Sequence, residues 1–477
     1  MTECGTTTAA GASRTSVLLH LLDSGNTIYL IVALGLAVRI IPLAMVGGSF
    51  LAHENPSYDR MALELIRHAK FSPYWPPGLP YYLAFFHEIF GNGMLVARSS
   101  ILLLYAGFSF ALYALIKELS SRQSANLAAL TFAVYPSYIR YAFNPSTEYP
   151  AGLCLILIVY FTVLIVRTHR YGLAPVLGLL LGALALVRPS SLALAAIVPA
   201  YLLFRTRLAR IAFASALMAA LLISAWLWKA YDLSGRFILI NDSNEENFAF
   251  ANHPDTPLFF TSRGGPVNFD HPARFLQLEE QIDANSSRLQ QRLLLETTLH
   301  SILSRPDLFL LRCFNRFRVY FTFPVHHAEP LTRHLAAAGQ IHAWLGGGIT
   351  LIEVSFFWPI MVFAIVFCFN LPSFRTQFDA VSAILGIAAI YAAPCWLTWS
   401  QPRYSFPVIP LFAVLAFMLL DTLLKRPWRQ VLAPVLRSNA RRRAMLLTLA
   451  FFFWIQMEWI VMIVSSDAWR QTGVQFS

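Results

Sequence analysis

The chain has 477 residues, of which 57% are hydrophobic and only 13% are charged, and its mean hydropathy is +0.56. A soluble domain of this length could not bury so much apolar surface in one core, so the bilayer must be part of its solvent. The net charge of +11 does not indicate a nucleic-acid partner. The Lys and Arg residues gather in short segments between apolar runs, which is the positive-inside pattern of membrane proteins.

Apolar runs of membrane-spanning length recur along the whole chain. We predict about eleven transmembrane helices, because about 20 apolar residues in helical form are needed to cross the hydrocarbon core. The fold class is therefore an all-α polytopic membrane protein. The predicted spans are 27–46, 94–116, 123–137, 148–166, 172–187, 189–204, 208–228, 347–370, 379–398, 404–424 and 444–465.

Basic residues occur in alternate connections between these spans, so that side of the membrane is predicted to be cytoplasmic. The basic connections carry Lys117 and Arg122, Arg167 and Arg170, Arg205, Arg207 and Arg210, Arg375, and Lys425, Arg426, Arg429, Arg437 and Arg441 to Arg443. The resulting organisation has a cytoplasmic tail, an N-terminal transmembrane module with a first outer loop, a large outer loop region and a C-terminal group of helices. These parts are predicted at 1–26, 27–228 with the loop at 47–93, 229–346 and 347–477.

The first outer loop contains two candidate catalytic acids, Glu54 and Asp59. Asn55 followed by Pro56 predicts the start of a helix that lies in the membrane interface. A carboxylate beside low-dielectric material can have a raised pKa and act as a general base. Acids also favour the positive end of a helix dipole, so a structural role for both residues stays open.

A second group of candidates lies in the loop before the predicted span at 148–166. Asn144 is a polar candidate ligand in this loop, and Glu148 falls where the span begins. An ionised side chain there is costly unless it faces a cavity or a partner. A helix-terminal charge next to a capping Thr147 would explain Glu148 equally well.

Two arginines interrupt apolar sequence on the predicted outer side. Arg188 precedes Pro189, and Arg403 precedes Tyr404 at the start of the tenth span. An arginine at such a place can bind a lipid phosphate with two parallel hydrogen bonds, or it can extend to the headgroups. Because both arginines face the compartment of the candidate acids, the pattern favours phosphate binding.

The sequence does not predict a metal site or a certain cofactor, although a divalent metal stays possible. His253 and the His326–His327 pair have no carboxylate at a spacing typical of metal ligands. The five cysteines are scattered and form no C-x-x-C motif. The stripe of Arg and Phe residues at 309–318 is interpreted as an amphipathic helix on anionic lipid.

Several short motifs follow one another in an order that resembles a known family. They are Arg39, Glu54 four residues before Tyr58 and then Ala62, the block Pro76-Pro77-Gly78-Leu79-Pro80, Phe90-Gly91, Arg98, Pro136, Thr147-Glu148, Gly178 and Gly182 before Arg188-Pro189, Trp226-x-Trp228-Lys229, Asn252-His253-Pro254, and Arg403-Tyr404 with Pro407 and Pro410. Over roughly residues 30–412, this ordered set resembles the dolichyl-phosphate-mannose protein mannosyltransferase-like superfamily. These C-type glycosyltransferases (GT-C) include bacterial aminoarabinose and lipopolysaccharide-core transferases.

The resemblance implies a GT-C bundle whose interfacial helices lie on the non-cytoplasmic side. It also implies a polyprenyl-phosphate sugar donor, inversion at the sugar carbon, and a glycan, lipid or protein acceptor at a membrane lipid surface. In this family the first outer loop supplies the key acid, usually Asp. The aligned position here is Glu54, with Asp59 five residues later, and both stay candidates for the base.

The resemblance further implies roles for other residues. The donor phosphate is expected against Arg188, Arg403 or Lys229, which stands where the family usually has Arg. Glu148 is expected to orient the sugar or to share the acidic role. Tyr58, Asn144 and Tyr404 complete the set of expected substrate-binding residues.

Two other function classes fit the composition. A transporter or flippase for lipid-linked glycans also needs cationic cavities, but it would more often show internal repeats and charges within the spans. An O-antigen polymerase or ligase shares the large outer loop and would not need the acid in the first one. The compact loops favour a bacterial inner membrane with a periplasmic active site, and the sugar and the acceptor are not determined.

Overall fold

The computed structural model describes residues 22–46, 57–67, 73–143, 145–258, 288–325 and 338–465. These residues form α-helices joined by turns and short 3-10 segments, without strands, which confirms the all-α prediction. The first helices are α1 Thr27–Val46, α2 Ser57–Ile66, α3 Gly78–Phe90, α4 Met94–Leu119, α5 Arg122–Val134, α6 Pro136–Arg140, α7 Glu148–Thr168, α8 Ala174–Val187, α9 Leu194–Thr206 and α10 Ala209–Ser234. They are followed by α11 Ser243–Asn252, α12 Arg288–Ser304, α13 Pro306–Tyr320, α14 Ala338–Phe369, α15 Phe378–Leu397, α16 Ile409–Lys425, α17 Trp428–Val431, α18 Ala433–Leu436 and α19 Asn439–Ser465.

Seven helical stretches within the described residues are long and apolar enough to cross a membrane. The chain is therefore an integral membrane protein. The seven stretches are Met94–Leu119, Glu148–Thr168, Pro189–Thr206, Ala209–Ser234, Gly347–Phe369, Phe378–Leu397 and Asn439–Ile463. Helices α1, α5, α8 and α16 lie at the other four predicted spans, and the total of about eleven spans stays a prediction.

The basic connections lie together at one end of the bundle. Gln377 donates a hydrogen bond to the Leu119 carbonyl at 3.0 Å, which joins two of these connections. Ser121, at the start of α5, donates to Asp421 near the end of α16. Because successive spans run in opposite directions, the other ends of the same helices gather on the far side, away from the basic connections.

Close helix packing at glycine shapes the N-terminal half of the bundle. A Cβ at Gly178 would overlap the Ser215 carbonyl oxygen, so only glycine permits this approach of α8 to α10. A Cβ at Gly78 would lie 2.7 Å from the Val187 backbone nitrogen. Gly78 therefore lets the start of α3 pack directly on the end of α8, immediately before Arg188.

Helices α2 and α3 are joined by a buried polar contact. The Nε2 atom of His87 lies 2.8 Å from an Asp59 carboxylate oxygen, and both residues are buried. The Nδ1 atom of the same ring lies 3.3 Å from the Gly91 carbonyl. Asp59 thus holds α2 against α3, and the neighbouring Tyr58 lies on a different face of α2.

The arginines of α13 do not lie on the lipid surface, so that interpretation was wrong for them. Arg312, Arg316 and Arg318 are buried, and Arg316 donates to the Asn252 side chain and to the Leu397 carbonyl, each at 3.0 Å. The pattern missed this because the polar ends of α11 and α15 supply buried carbonyl acceptors that a sequence does not reveal. The Phe314 side chain of the stripe is exposed, as expected for lipid contact.

Candidate functional site

A cavity of about 400 Å³ opens at the end of the bundle opposite the basic connections. Its volume lies in the range of about 300–1,000 Å³ typical of small-molecule sites. Helix ends and connecting segments that are far apart in the sequence meet there. The lining residues are Tyr58, Trp75, Pro76, Ser146, Thr147, Glu148, Val187, Arg188, Pro189, Ser190, Asn241, Ser243, Asn244, Asn247, Pro394, Cys395, Thr398, Trp399, Arg403 and Tyr404.

The charged residues reach the cavity because spans end at it. Glu148 is the first residue of α7. Arg188 follows the last residue of α8, where Pro189 prevents the helix from continuing unbroken. Arg403 and Tyr404 lie on a 3-10 turn, Pro402–Ser405, that leads into α16. Helix termini therefore set the positions of all the cavity's charges among the described residues.

Glu148 and Arg188 form an ion pair inside the cavity wall. The Arg188 Nη2 atom lies 2.9 Å from the Glu148 Oε1 atom, and the side chains are 15% and 5% exposed. Each charge is costly to bury alone, so each stabilises the other. The Nε atom of Arg188 has no hydrogen-bond partner among the described residues. Arg188 thus keeps donor capacity beyond the bond to Glu148.

The Tyr404 ring contacts both arginines. The guanidinium carbon of Arg188 lies 5.3 Å from the Tyr404 ring centroid, and that of Arg403 lies 5.4 Å from it. The ring face attracts both cations and keeps them at one wall. Among the described residues, no carboxylate lies within salt-bridge distance of Arg403, whose side chain is open to solvent. The wall is therefore cationic and suited to an anion.

Tyr58 faces this wall as a neutral hydrogen-bond donor. Burial raises the pKa of Tyr58 to about 12, while the positive charge of Arg188 acts in the opposite direction and the negative charge of Glu148 reinforces the effect. The phenol consequently keeps its proton at neutral pH. It can donate a hydrogen bond to an anion held at the arginines.

The structure brings together five of the nine residues expected at the site, namely Tyr58, Glu148, Arg188, Arg403 and Tyr404. Asp59 does not line the cavity, since it contacts His87. Lys229 lies at the exposed end of α10, where its Nζ atom is 3.0 Å from Asp232. Glu54 and Asn144 lie outside the described residues.

Several polar and aromatic lining residues were not assigned to the site from the sequence, and five of them matter for its chemistry. They are Trp75, Asn241, Asn244, Asn247 and Trp399. The asparagines occur in a segment that reads only as turn-forming, and the two tryptophans read as interfacial anchors. The one signal that could have found the asparagines is their three-residue spacing, which places Asn244 and Asn247 on one helix face.

A buried polar cluster supports the floor of the cavity. The Tyr138 hydroxyl donates to the Phe406 carbonyl at 2.6 Å, and the two rings stack with centroids 3.8 Å apart. Glu353 of α14 accepts hydrogen bonds from the backbone N–H and the hydroxyl of Ser137, each at 2.9 Å. Because Phe406 follows the 3-10 turn closely, the cluster fixes the backbone that carries Arg403.

The described residues contain no group of three or more His, Cys, Asp or Glu side chains that could hold a metal ion. His253, singled out in the sequence, instead accepts a hydrogen bond from the Asp255 backbone at 3.3 Å. Burial lowers the pKa of His253, which Asp255 partly offsets. This histidine is therefore a neutral residue that stabilises a turn.

Comparison with known proteins places this geometry in a class. The fold is similar to that of the Archaeoglobus fulgidus oligosaccharyltransferase in its apo form, with a TM-score of 0.51 and 16% identity over 94% of this chain and 56% of that chain. The chain thus spans little more than half the length of that enzyme. A second similar structure is ArnT from Cupriavidus metallidurans bound to undecaprenyl phosphate, with a TM-score of 0.41 and 14% identity over 82% of this chain and 78% of that chain. The first likeness concerns the fold, and the predicted GT-C architecture is confirmed.

The sequence also matches a family. Residues 75–228 match the family model described as dolichyl-phosphate-mannose-protein mannosyltransferase. The resemblance to this superfamily, indicated by the ordered motifs, is therefore confirmed over a segment that includes Trp75, Glu148 and Arg188. No curated protein sequence matches the chain.

Proposed function

We propose that the protein is a membrane glycosyltransferase that transfers a sugar from a polyprenyl-phosphate donor to an acceptor, with inversion at the anomeric carbon. The observation that carries the proposal is the cationic wall made by Arg188, Arg403 and Tyr404 in a cavity at the outer ends of the spans. An arginine pair matches the geometry of a phosphate, and the neighbouring apolar helices offer a surface for an isoprenoid tail. The proposed acceptor is a glycan, a lipid or a protein.

An inverting transfer requires a group that stabilises the departing phosphate and a base that removes the acceptor proton. The acceptor oxygen forms a bond to the anomeric carbon while the bond from that carbon to the phosphate oxygen breaks, and its electron pair stays on the phosphate. The two arginines and the Tyr58 hydroxyl stabilise the negative charge that develops there. The acceptor proton passes to a carboxylate on the opposite face of the sugar.

Two carboxylates are proposed for the acidic roles. Glu54 precedes α2 by three residues in sequence and is the proposed base, in agreement with its position in the ordered motifs. Glu148 is the carboxylate that lines the described cavity, and its ion pair with Arg188 suits it to orient the sugar and the arginine. Asp59 is assigned a positioning role, because its contact with His87 holds the helix that carries Tyr58.

The cavity is proposed to open on the non-cytoplasmic side of the membrane. The basic connections lie at the end opposite the cavity, and the positive-inside pattern makes that end cytoplasmic. The cavity would then open to the periplasm of a bacterial inner membrane. A lipid-linked donor in the outer leaflet can reach it from the bilayer without crossing the protein.

The experiment is sugar transfer by purified protein in lipid nanodiscs from a panel of radiolabelled undecaprenyl-phosphate sugars. We expect Glu54→Gln to abolish transfer while undecaprenyl phosphate still binds, because only proton removal is lost. Arg403→Ala should lower both transfer and binding, by about tenfold or more for a lost charge-assisted hydrogen bond. The matched control is Arg60→Ala, since Arg60 lies on the same helix as Tyr58 with its side chain 70% exposed.

The outcomes separate the candidate functions. Transfer that depends on Glu54 and Arg403, with unchanged thermal unfolding, supports the glycosyltransferase. If no donor is turned over and wild-type protein instead moves a lipid-linked glycan across the bilayer, the transporter class replaces it. If Arg60→Ala lowers transfer as much as Arg403→Ala, the loss reflects membrane placement and not phosphate binding.

A further inference from the structure

One wall of the cavity is built of uncharged hydrogen-bonding groups. Asn241 precedes α11, and Asn244 and Asn247 lie on it, so all three amides reach the cavity from one short segment. Trp75 and Trp399 line the same cavity. The arginines line the same cavity from other segments, on the turns after α8 and before α16. The cavity therefore has a cationic wall and an amide wall.

The amide wall has hydrogen-bonding capacity that the protein itself does not use. Within the described residues, the side chains of Asn244 and Asn247 make no hydrogen bond, and both are accessible. Asn241 is buried, and its Nδ2 atom donates to the Ser243 hydroxyl at 2.7 Å. Its Oδ1 atom is without a partner in the part of the chain described here. The hydrogen-bonding capacity that a ligand can reach therefore lies with the accessible amides of Asn244 and Asn247, and Asn241 supports the segment that carries them.

The acidic neighbours of these amides are occupied elsewhere. Glu246 accepts a hydrogen bond from the Tyr74 hydroxyl at 3.1 Å, and Asp242 pairs with Arg236. Glu245 does not line the cavity. The one carboxylate in the described lining is Glu148, which is held by Arg188. Among the described residues, an ammonium group on a ligand would therefore meet no available carboxylate at this wall.

The tryptophans provide flat apolar surfaces beside the amides. The Trp399 ring stacks on Phe250 at 5.5 Å with an interplanar angle of 17°, which fixes its orientation. The Trp75 ring is held edge-on by Tyr74 at 5.2 Å. Rigid aromatic surfaces next to groups that both donate and accept hydrogen bonds suit a ligand with an apolar face and many hydroxyls.

We propose that the amide wall, formed by Asn241, Asn244 and Asn247 with Trp75 and Trp399, binds an uncharged glycosyl unit. Each hydroxyl of such a sugar donates and accepts, as an amide side chain does. The inference rests on the proposed function, because the sugar is placed beside a phosphate held by Arg403. It goes further in assigning the selectivity: a neutral sugar is preferred, and an amino sugar is disfavoured.

The neutral sugar at the amide wall could belong to the donor or to the acceptor. In the first arm, the affinity of the protein in nanodiscs is measured for undecaprenyl phosphate, undecaprenyl-phosphate glucose and undecaprenyl-phosphate glucosamine. In the second arm, a soluble neutral oligosaccharide such as maltose is added to protein saturated with undecaprenyl phosphate. Binding in that arm is followed by saturation-transfer NMR.

The test variant is the double substitution Asn244→Ala with Asn247→Ala, and the control is Glu245→Ala on the same helix. We expect wild type to bind the glucose donor more tightly than the lipid phosphate alone and more tightly than the glucosamine donor. The double variant should lose about tenfold of this preference, as expected for two hydrogen bonds. Its affinity for undecaprenyl phosphate and its thermal unfolding should be unchanged.

The readouts distinguish failure of the neutral-sugar inference from failure of the proposed function. Loss of the sugar preference in the first arm assigns the wall to the donor sugar, and loss of maltose binding in the second assigns it to an acceptor sugar. If both readouts match wild type in the double variant, or if the glucosamine donor binds as tightly as the glucose donor, the inference is overturned. If wild type does not bind undecaprenyl phosphate at all, the proposed function itself fails.

Discussion

Two arginines of this chain show that the same type of side chain can stabilise the fold or stay available to bind a ligand. Arg39 is fully buried in α1, and its terminal nitrogens donate at 2.8–3.3 Å to five protein acceptors. These acceptors are the carbonyls of Gly35, Phe132, Ala133 and Tyr138 and the Tyr149 hydroxyl. Arg403, by contrast, is open to the cavity and contacts the Tyr404 ring.

The difference lies in how much hydrogen-bonding capacity the protein leaves unused. Arg39 satisfies the backbone carbonyls at the end of α5, which would otherwise be unpaired inside the bundle. Arg403 has no comparable set of acceptors among the described residues, so its donors remain for a ligand. Removal of the first should therefore affect folding, and removal of the second should affect binding.

The largest effect is expected from Arg39→Leu. The carbonyls of Phe132 and Ala133 would lose the Arg39 donor, and the Tyr138 carbonyl would keep only the Tyr149 hydroxyl. The free energy of unfolding should therefore fall by on the order of 3 kcal/mol or more. The measurement is thermal unfolding in nanodiscs, with exposed Arg60→Leu as the control. An unchanged midpoint for Arg39→Leu would remove the distinction between the two kinds of arginine.

A smaller effect, on both stability and undecaprenyl phosphate binding, is expected from Gly78→Ala. The new Cβ would lie 2.7 Å from the Val187 backbone nitrogen, so the end of α8 and Arg188 must shift. We expect a loss of about 1–3 kcal/mol in the free energy of unfolding, together with weaker undecaprenyl phosphate binding. The control is Gly93→Ala, because nothing lies within 4 Å of a Cβ at Gly93 and its backbone is extended. Equal behaviour of the two variants would mean that this contact does not place Arg188.

An effect on binding alone is expected from Tyr58→Phe, at most about tenfold for one neutral hydrogen bond. Because burial raises the pKa of Tyr58 to about 12, the phenol stays protonated as the pH rises from 7 to 10. The ratio of wild-type to variant affinity for undecaprenyl phosphate should be constant over that range. A ratio that falls towards pH 10 would show that the phenol ionises there and repels the phosphate.

The smallest effect is expected from Lys229→Ala. The Lys229 ammonium pairs with Asp232 at 3.0 Å, and both side chains are largely exposed outside the cavity. Donor affinity should change by less than about twofold, as expected for a surface ion pair. A tenfold loss of donor affinity would instead show that Lys229 contacts the phosphate, and it would contradict the placement of Lys229 at the end of α10.

The membrane-spanning elements were the most predictable part of the molecule. Apolar runs set the helices within a few residues, as in the predicted span 148–166 and the observed Glu148–Thr168. Bilayer thickness fixes the length of each run, and the clustering of arginines fixes which ends lie together. The candidate set at the outer ends followed from the cost of charges at helix termini, which is why Glu148, Arg188 and Arg403 were found from the sequence.

The tertiary structure alone decided which candidates meet. Tyr58 and Asp59 are adjacent in sequence, but successive residues on a helix point about 100° apart, so one lines the cavity and the other contacts His87. The asparagines of α11 join the site only because residues 238–243 pack back onto the first outer loop, as in the 3.0 Å bond from the Asp242 N–H to the Pro73 carbonyl. Local sequence carries helix length and polarity, whereas the convergence of distant segments depends on packing between them.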